Sequence, residues 1–187
     1  MPDELDDCLG ETGRRITESD QSDLIGDHVY LTKGACLSIC VNFMCNLANI
    51  KMATDEEHLE VAQWVQGKKD WKERIDLLVA HAGLREIDSC KGQLITDEIY
   101  LTQFLRKVSS KPSFNVFGFF DTQRNKGHAL LFYTWADDDW ILYDPNFGMA
   151  RWTHLGGLMV GMKKLLRTVY SRKFGPYIPY IVYKYEK

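Results

Sequence analysis

No apolar run in these 187 residues approaches the length that crosses a bilayer, and the first residues lack the charged-then-apolar pattern of a secretory leader. The chain is expected to be soluble, without a cleaved Sec-type signal. Internal repeats and low-complexity segments are missing too, and nothing resembles a nucleic-acid-binding module. The cysteines lack suitable partners. They number five, and three of them (Cys36, Cys40, Cys45) crowd one expected helix, where neighbours are poorly placed to bridge. A reducing compartment is the simpler reading. A zinc site made of those three thiols is rejected, because an apolar helix has no loop to turn them inward, and no metal or cofactor is expected.

What is present suffices for one folded unit, since 45% hydrophobic content over this length can bury a full core. Charge is spread unevenly: residues 1–27 sum to −7, residues 28–150 to −3 and residues 151–187 to +7. The acidic first stretch has few apolar positions and no sustained period, so residues 1–27 are expected to be a flexible leader outside the core, with residues 28–187 as the folded domain. The basic last stretch reads as a surface helix with its charges in water; docking on an anionic membrane is the alternative.

From Ala35 to about Ile50, apolar residues fall on nearly every face, the pattern of a helix buried all round. Two amphipathic helices follow, opened by the capping-box patterns Thr54-Asp-Glu-Glu57 and Asp70-Trp-Lys-Glu73, and Gly83 stops the second. A further helix is expected from Thr96 to Lys107, ended by the approach to Pro112. Beyond Pro112 the period becomes extended. SFNVFGFFD, GHALLFYTW, DWILYD and YIPYIVYKYE are aromatic and β-branched segments divided by turn residues, with one more helix at about 154–173. A helical first half and a mostly antiparallel sheet in the second make an α+β fold with a central helix buried against the sheet.

His128 opens one apolar strand, and Asp144 closes the next at Leu-Tyr-Asp-Pro-Asn. The two strands read as a hairpin, which brings its outer ends together. With a five-residue loop, Trp135 to Asp139, His128 sits opposite Asn146 and Asp144 is its diagonal neighbour on the same face; an even-length loop would part them. Cys36 occupies the first turn of the central helix, where unpaired N–H groups, a partial positive charge and nearby Lys33 favour a thiolate. A thiolate nucleophile needs a proton shuttle, and an imidazole held by a carboxylate supplies one. Cys36, His128 and Asp144 are therefore the candidate catalytic residues. The backbone N–H of Cys36 is the candidate oxyanion donor, and Gln21, the nearest upstream glutamine, the candidate for the second.

Gly34-Ala-Cys36, Gly127-His128-Ala129 and Tyr143-Asp144-Pro-Asn-Phe-Gly148 resemble the three catalytic segments of the YopT/AvrPphB-type papain-like cysteine peptidases, which bacteria inject into host cells. The likeness runs from about residue 30 to 150 and is most distinctive in Asp-Pro-Asn-Phe-Gly. It implies a papain-like fold with Cys36 as nucleophile, His128 as general base and then acid, and Asp144 as orienting carboxylate. It also implies an endopeptidase acting on a host protein in the host cytoplasm, delivered by a bacterial secretion system whose signal sits in the polar leader. One departure from the pattern is that no bulky aromatic follows Cys36 before Phe43.

The same three residues suit hydrolysis of a glutamine side-chain amide or acyl transfer, and a non-catalytic binding domain would use Cys36 for packing alone. Cys40 and Cys45 lie deeper in the helix and read as packing residues. His58 and His81 lie on amphipathic helices, where surface or boundary positions are expected. Asp137-Asp138-Asp139 reads as a solvated hairpin tip rather than a cation site, and Asn146 as a residue holding the turn near His128. A monomer is expected.

Overall fold

The aromatic and β-branched segments pair into one antiparallel sheet in a computed structural model that describes residues 3–11, 13–17, 35–65, 70–95, 99, 102–103, 106, 113–121, 126–136, 139–175 and 177–187. In chain order the elements are α1 (Asp3–Leu9), β1 (Gly13–Thr17), α2 (Cys36–Ala48), α3 (Asp55–Val65), α4 (Trp71–His81) and β2 (Arg85–Ile95). There follow β3 (Phe114–Asp121), β4 (Lys126–Ala136), β5 (Asp139–Asp144), β6 (Gly148–Trp152), α5 (Leu155–Leu165) and β7 (Tyr177–Glu186). Helix α5 runs on through a π-helical turn, Leu166–Tyr170, into a last turn, Ser171–Phe174. The strands lie in the order β1-β6-β5-β4-β3-β7-β2.

Side chains alternate across a strand, so the strands from β3 to β7 serve two cores. In β4, Ala129, Leu131 and Tyr133 join the cluster built on α2, α3 and α4, while Leu130 and Phe132 join the one built on α1 and α5. The expected central helix is α2, buried at eleven of its thirteen residues. Phe43 of α2 stacks on Tyr143 of β5 with ring centroids 4.0 Å apart, which ties the helix to the strand that ends in Asp144. The basic helix α5 packs its apolar stripe, Leu158, Met162 and Leu165, on the opposite face.

Several sequence expectations are corrected. Among residues 1–27, α1 is not outside the core: Leu5 and Cys8 are buried against α5 and β6, and β1 adds an edge strand to β6. Two apolar residues three apart suffice to seat a single short helix, a signal too small to show as a period. The first half is not wholly helical either. β2 pairs with β7 along the far edge, where exposed positions take charged and polar residues and no apolar alternation is needed. The capping box at Thr54 forms, with Glu57 N–H on Thr54 Oγ1 at 3.2 Å and Thr54 N–H on Glu57 Oε2 at 2.9 Å. The one at Asp70 does not. Arg74, one turn on, donates to the Asp70 carboxylate at 3.0 Å, and the backbone there is not in the extended conformation of a capping residue. The helix expected over 96–107 falls mostly outside the described residues.

Candidate active site

Thr134 of β4 lies opposite Trp140 of β5 and Leu131 opposite Tyr143, the register of a five-residue connection, although the strands run on to an Ala136–Asp139 pair through a register shift. Continued past the end of the ladder, that register sets His128 opposite Asn146. Asp144 is then the diagonal neighbour. His128 Nε2 and Asp144 Oδ1 are 2.9 Å apart, and the Asn146 backbone N–H donates to the same oxygen at 2.9 Å. Asp-Pro-Asn is good turn chemistry, and here the turn folds back onto its own first carboxylate.

Cys36 is the first residue of α2, preceded by Ala35, which has no side-chain acceptor to offer the N–H groups of that first turn. Its thiol lies close enough to the His128 imidazole to help raise its pKa. The ring nitrogen not engaged by Asp144, Nδ1, also lies 3.5 Å from Asn146 Nδ2. Cys36 and His128 each keep 7% of their surface in solvent whereas Asp144 and Cys40 keep none, so the thiol and the ring form the open side of the cluster.

Electrostatics sort these groups. Burial alone would push the His128 imidazole down, but the charge and hydrogen bond of Asp144, aided by Cys36, outweigh it and raise it to about 10. His128 thus carries its proton at neutral pH. Burial lifts the thiol of Cys40 well above the ordinary cysteine range and that of Cys45 to about 12, so both stay protonated. Cys40 donates instead to the Ala129 carbonyl at 3.4 Å, and Cys45 to that of Leu78 at 3.6 Å.

No protein-family model matches the sequence, and no curated protein matches it. Solved structures do. The Pseudomonas avirulence protein AvrPphB matches with a TM-score of 0.65, covering 98% of this chain and 100% of its own at 11% identity. The fold is papain-like. A cysteine protease-like domain of the Photorhabdus asymbiotica toxin PaTox matches with a TM-score of 0.54 over 97% of this chain, which spans 57% of that one, again at 11% identity. At such identity the likeness is one of fold, held in common with a bacterial avirulence protein and a protease-like toxin domain.

Within this papain-like fold the remaining sequence candidates are spread out. Gln21 lies outside the described residues. His58 is buried rather than at a boundary: Asn42 Nδ2 donates to its Nδ1 at 3.1 Å, and it lies in a stack with Phe43 and Tyr143. A helix period sets His58 at the edge of the apolar face, and only the arrival of β5 covers it. His81 is exposed, and His154 caps α5 by accepting the Gly157 N–H at 3.0 Å. Asp139, at the hairpin tip, pairs with Arg151 at 2.6 and 2.9 Å, while residues 137–138 lie outside the described set. Sequence reading missed Tyr170, which touches both His128 and Asp144. Its only signal was a hydroxyl-bearing residue in the apolar stripe of the last helix.

Proposed function

We propose that the chain is a papain-like thiol hydrolase in which Cys36 attacks a carbonyl carbon. The observation that carries the reading is the His128 imidazole held by the Asp144 carboxylate at 2.9 Å, with the Cys36 thiol at the start of α2 close enough to act on it. Cys36 works as the thiolate beside the imidazolium. As sulfur bonds to carbon, the carbonyl oxygen gains negative charge and accepts a hydrogen bond that the Cys36 backbone N–H at the start of α2 donates. His128 then gives its proton to the departing amine, and the acyl group stays on sulfur. Water, losing a proton to His128, adds to the acyl carbon, releases the acid and restores the thiolate–imidazolium pair. Asp144 holds the ring in place and offsets its charge. By resemblance to the YopT/AvrPphB-type peptidases the substrate is a peptide bond of a host protein, reached after export by a bacterial secretion system.

The test is alkylation by iodoacetamide near pH 6, read thiol by thiol by peptide mass. One site, Cys36, is expected to react at least tenfold faster than half-buried Cys90, and to slow by about tenfold or more in His128→Gln. Uniformly slow thiols would sink the catalytic reading and leave a binding domain. Intact-mass measurement of a treated target then separates fragments, the peptidase outcome, from a gain of about one dalton per site, the outcome of glutamine deamidation by the same acyl-enzyme.

A further inference from the structure

We propose that Tyr170 is a positioning residue for the His128–Asp144 pair, aimed at it by the π-helical turn that interrupts the last helix. This rests on the thiol-hydrolase reading above.

Asp144 is wholly buried, and its two oxygens are served differently. Oδ1 accepts from His128 and from the Asn146 N–H, whereas Oδ2 accepts from the Tyr170 hydroxyl. The Tyr170 ring also lies stacked against the His128 imidazole, 5.2 Å between centroids and 23° between planes. One side chain thus fixes the carboxylate through its tip and covers the imidazole with its face. Tyr170 is itself fully buried, backed by Phe119 at 4.9 Å and Phe174 at 6.4 Å, so it has little freedom to turn away. Burial, then the charge of Asp144, lifts its phenol well above the ordinary range, which keeps it a neutral donor.

The turn explains the aim. Leu155–Leu165 is an ordinary α-helix, but Leu166–Tyr170 is a π-turn, a rare feature that is frequent at functional sites. One residue more per turn rotates everything after it by about 100° relative to a continuous α-helix. Leu165, Leu166 and Val169 pack on the sheet. The wider turn lets the helix keep those contacts while Tyr170 faces Asp144.

If the hydroxyl is removed, Oδ2 is left buried without that donor, which disfavours the charged carboxylate. A less anionic Asp144 supports the imidazolium less, and the thiolate beside it less in turn. Besides His128 and Asp144, the titratable groups facing the cluster among the described residues are Cys36 and Cys40 from α2 and Tyr170 itself.

The experiment is the pH profile of Cys36 alkylation by iodoacetamide in the native chain, Tyr170→Phe, Asp144→Asn and the double variant. Tyr170→Phe should raise the acid-side midpoint by about half a pH unit or more, slowing the reaction near pH 5 about threefold, with the rate at pH 8 within about twofold of native. The shift should vanish in the Asp144→Asn background. A Tyr170→Phe chain that melts earlier but keeps the native midpoint overturns the proposal, because packing alone would then account for the residue. A native chain with no fast thiol at low pH fails earlier, at the catalytic reading. Should Tyr170→Phe not fold, the native chain serves: the Tyr170 hydroxyl proton is expected as a slowly exchanging downfield resonance that Asp144→Asn abolishes. A hydroxyl exchanging as fast as a free phenol overturns the positioning role.

Discussion

His128 and His58 are both buried, yet they respond to pH in opposite senses. His128 is raised to about 10, so in the folded state it holds a proton that the unfolded chain releases above about 6.5. Its contribution is fully present below that value and is lost as pH rises through the folded one. Urea unfolding of the native chain and His128→Gln should therefore differ most at pH 6, on the order of a few kcal/mol, and converge toward pH 10. His58 is lowered by burial, against the pull of Asp55 and Glu57, so the folded state resists protonating it. Its contribution falls away as pH drops below about 6.5. Replacing His58 with Gln, which can still accept from Asn42, should flatten the acid limb of the stability curve and leave the alkaline limb as it was. A variant curve with the native slope between pH 6 and 4 would refute this. His128 was legible because a strand pattern, a glycine and a turn all converged on it. His58 was not, because its burial comes from a strand far along the chain.

Two helices end in the same motif with different residues. After α4, Leu84 N–H bonds Val79 O and Gly83 N–H bonds Ala80 O, with Gly83 at φ +72. After α2, Lys51 N–H bonds Asn46 O and Ile50 N–H bonds Leu47 O, with Ile50 at φ +56. A left-handed position costs a β-branched residue about 1–2 kcal/mol and glycine almost nothing. Ile50 is 83% exposed, so its side chain offers little packing in return. Ile50→Gly should therefore stabilise the protein by about 0.5–1 kcal/mol, seen as a higher thermal midpoint; a lower midpoint would show that the exposed side chain has a partner. The start of α5 supplies a converse case. His154→Ala removes an acceptor for the Gly157 N–H and should cost about 1 kcal/mol, with His154→Asn restoring most of it. Gly83 was read from sequence as a stop because glycine is the usual residue there. Ile50 hid its turn behind the wrong residue type.

The two faces of the sheet are closed by separate groups of helices, and α1 belongs to one of them. Leu5 and Cys8 are buried, Trp152 Nε1 donates to Leu9 O at 3.2 Å, and Lys164 donates to Asp7 O. Gly161 lets α1 come close, since a Cβ there would stand 2.8 Å from Cys8 O and 2.7 Å from the Trp152 ring. Leu5→Ala should cost about 2–5 kcal/mol in chemical unfolding, far more than a residue of a loose leader could. A loss under about 0.5 kcal/mol would return residues 3–9 to the surface. Gly161→Ala should weaken the same contact. The acidic composition of the first residues concealed this docking, because charge averaged over a segment says nothing of the one or two side chains that anchor it.

By itself the sequence determined the α+β order, the all-round burial of the Cys36 helix and the hairpin, because these follow from local period and turn chemistry; the hairpin's register hung on a loop length that the structure fixed. It also marked Cys36, His128 and Asp144 by the short blocks in which they sit. Only the tertiary structure decided that β2 and β1 extend the sheet, that α1 closes its second face and that Tyr170 reaches the Asp144 carboxylate. Those contacts join residues far apart along the chain through the packing of whole elements, and no local pattern encodes such a meeting.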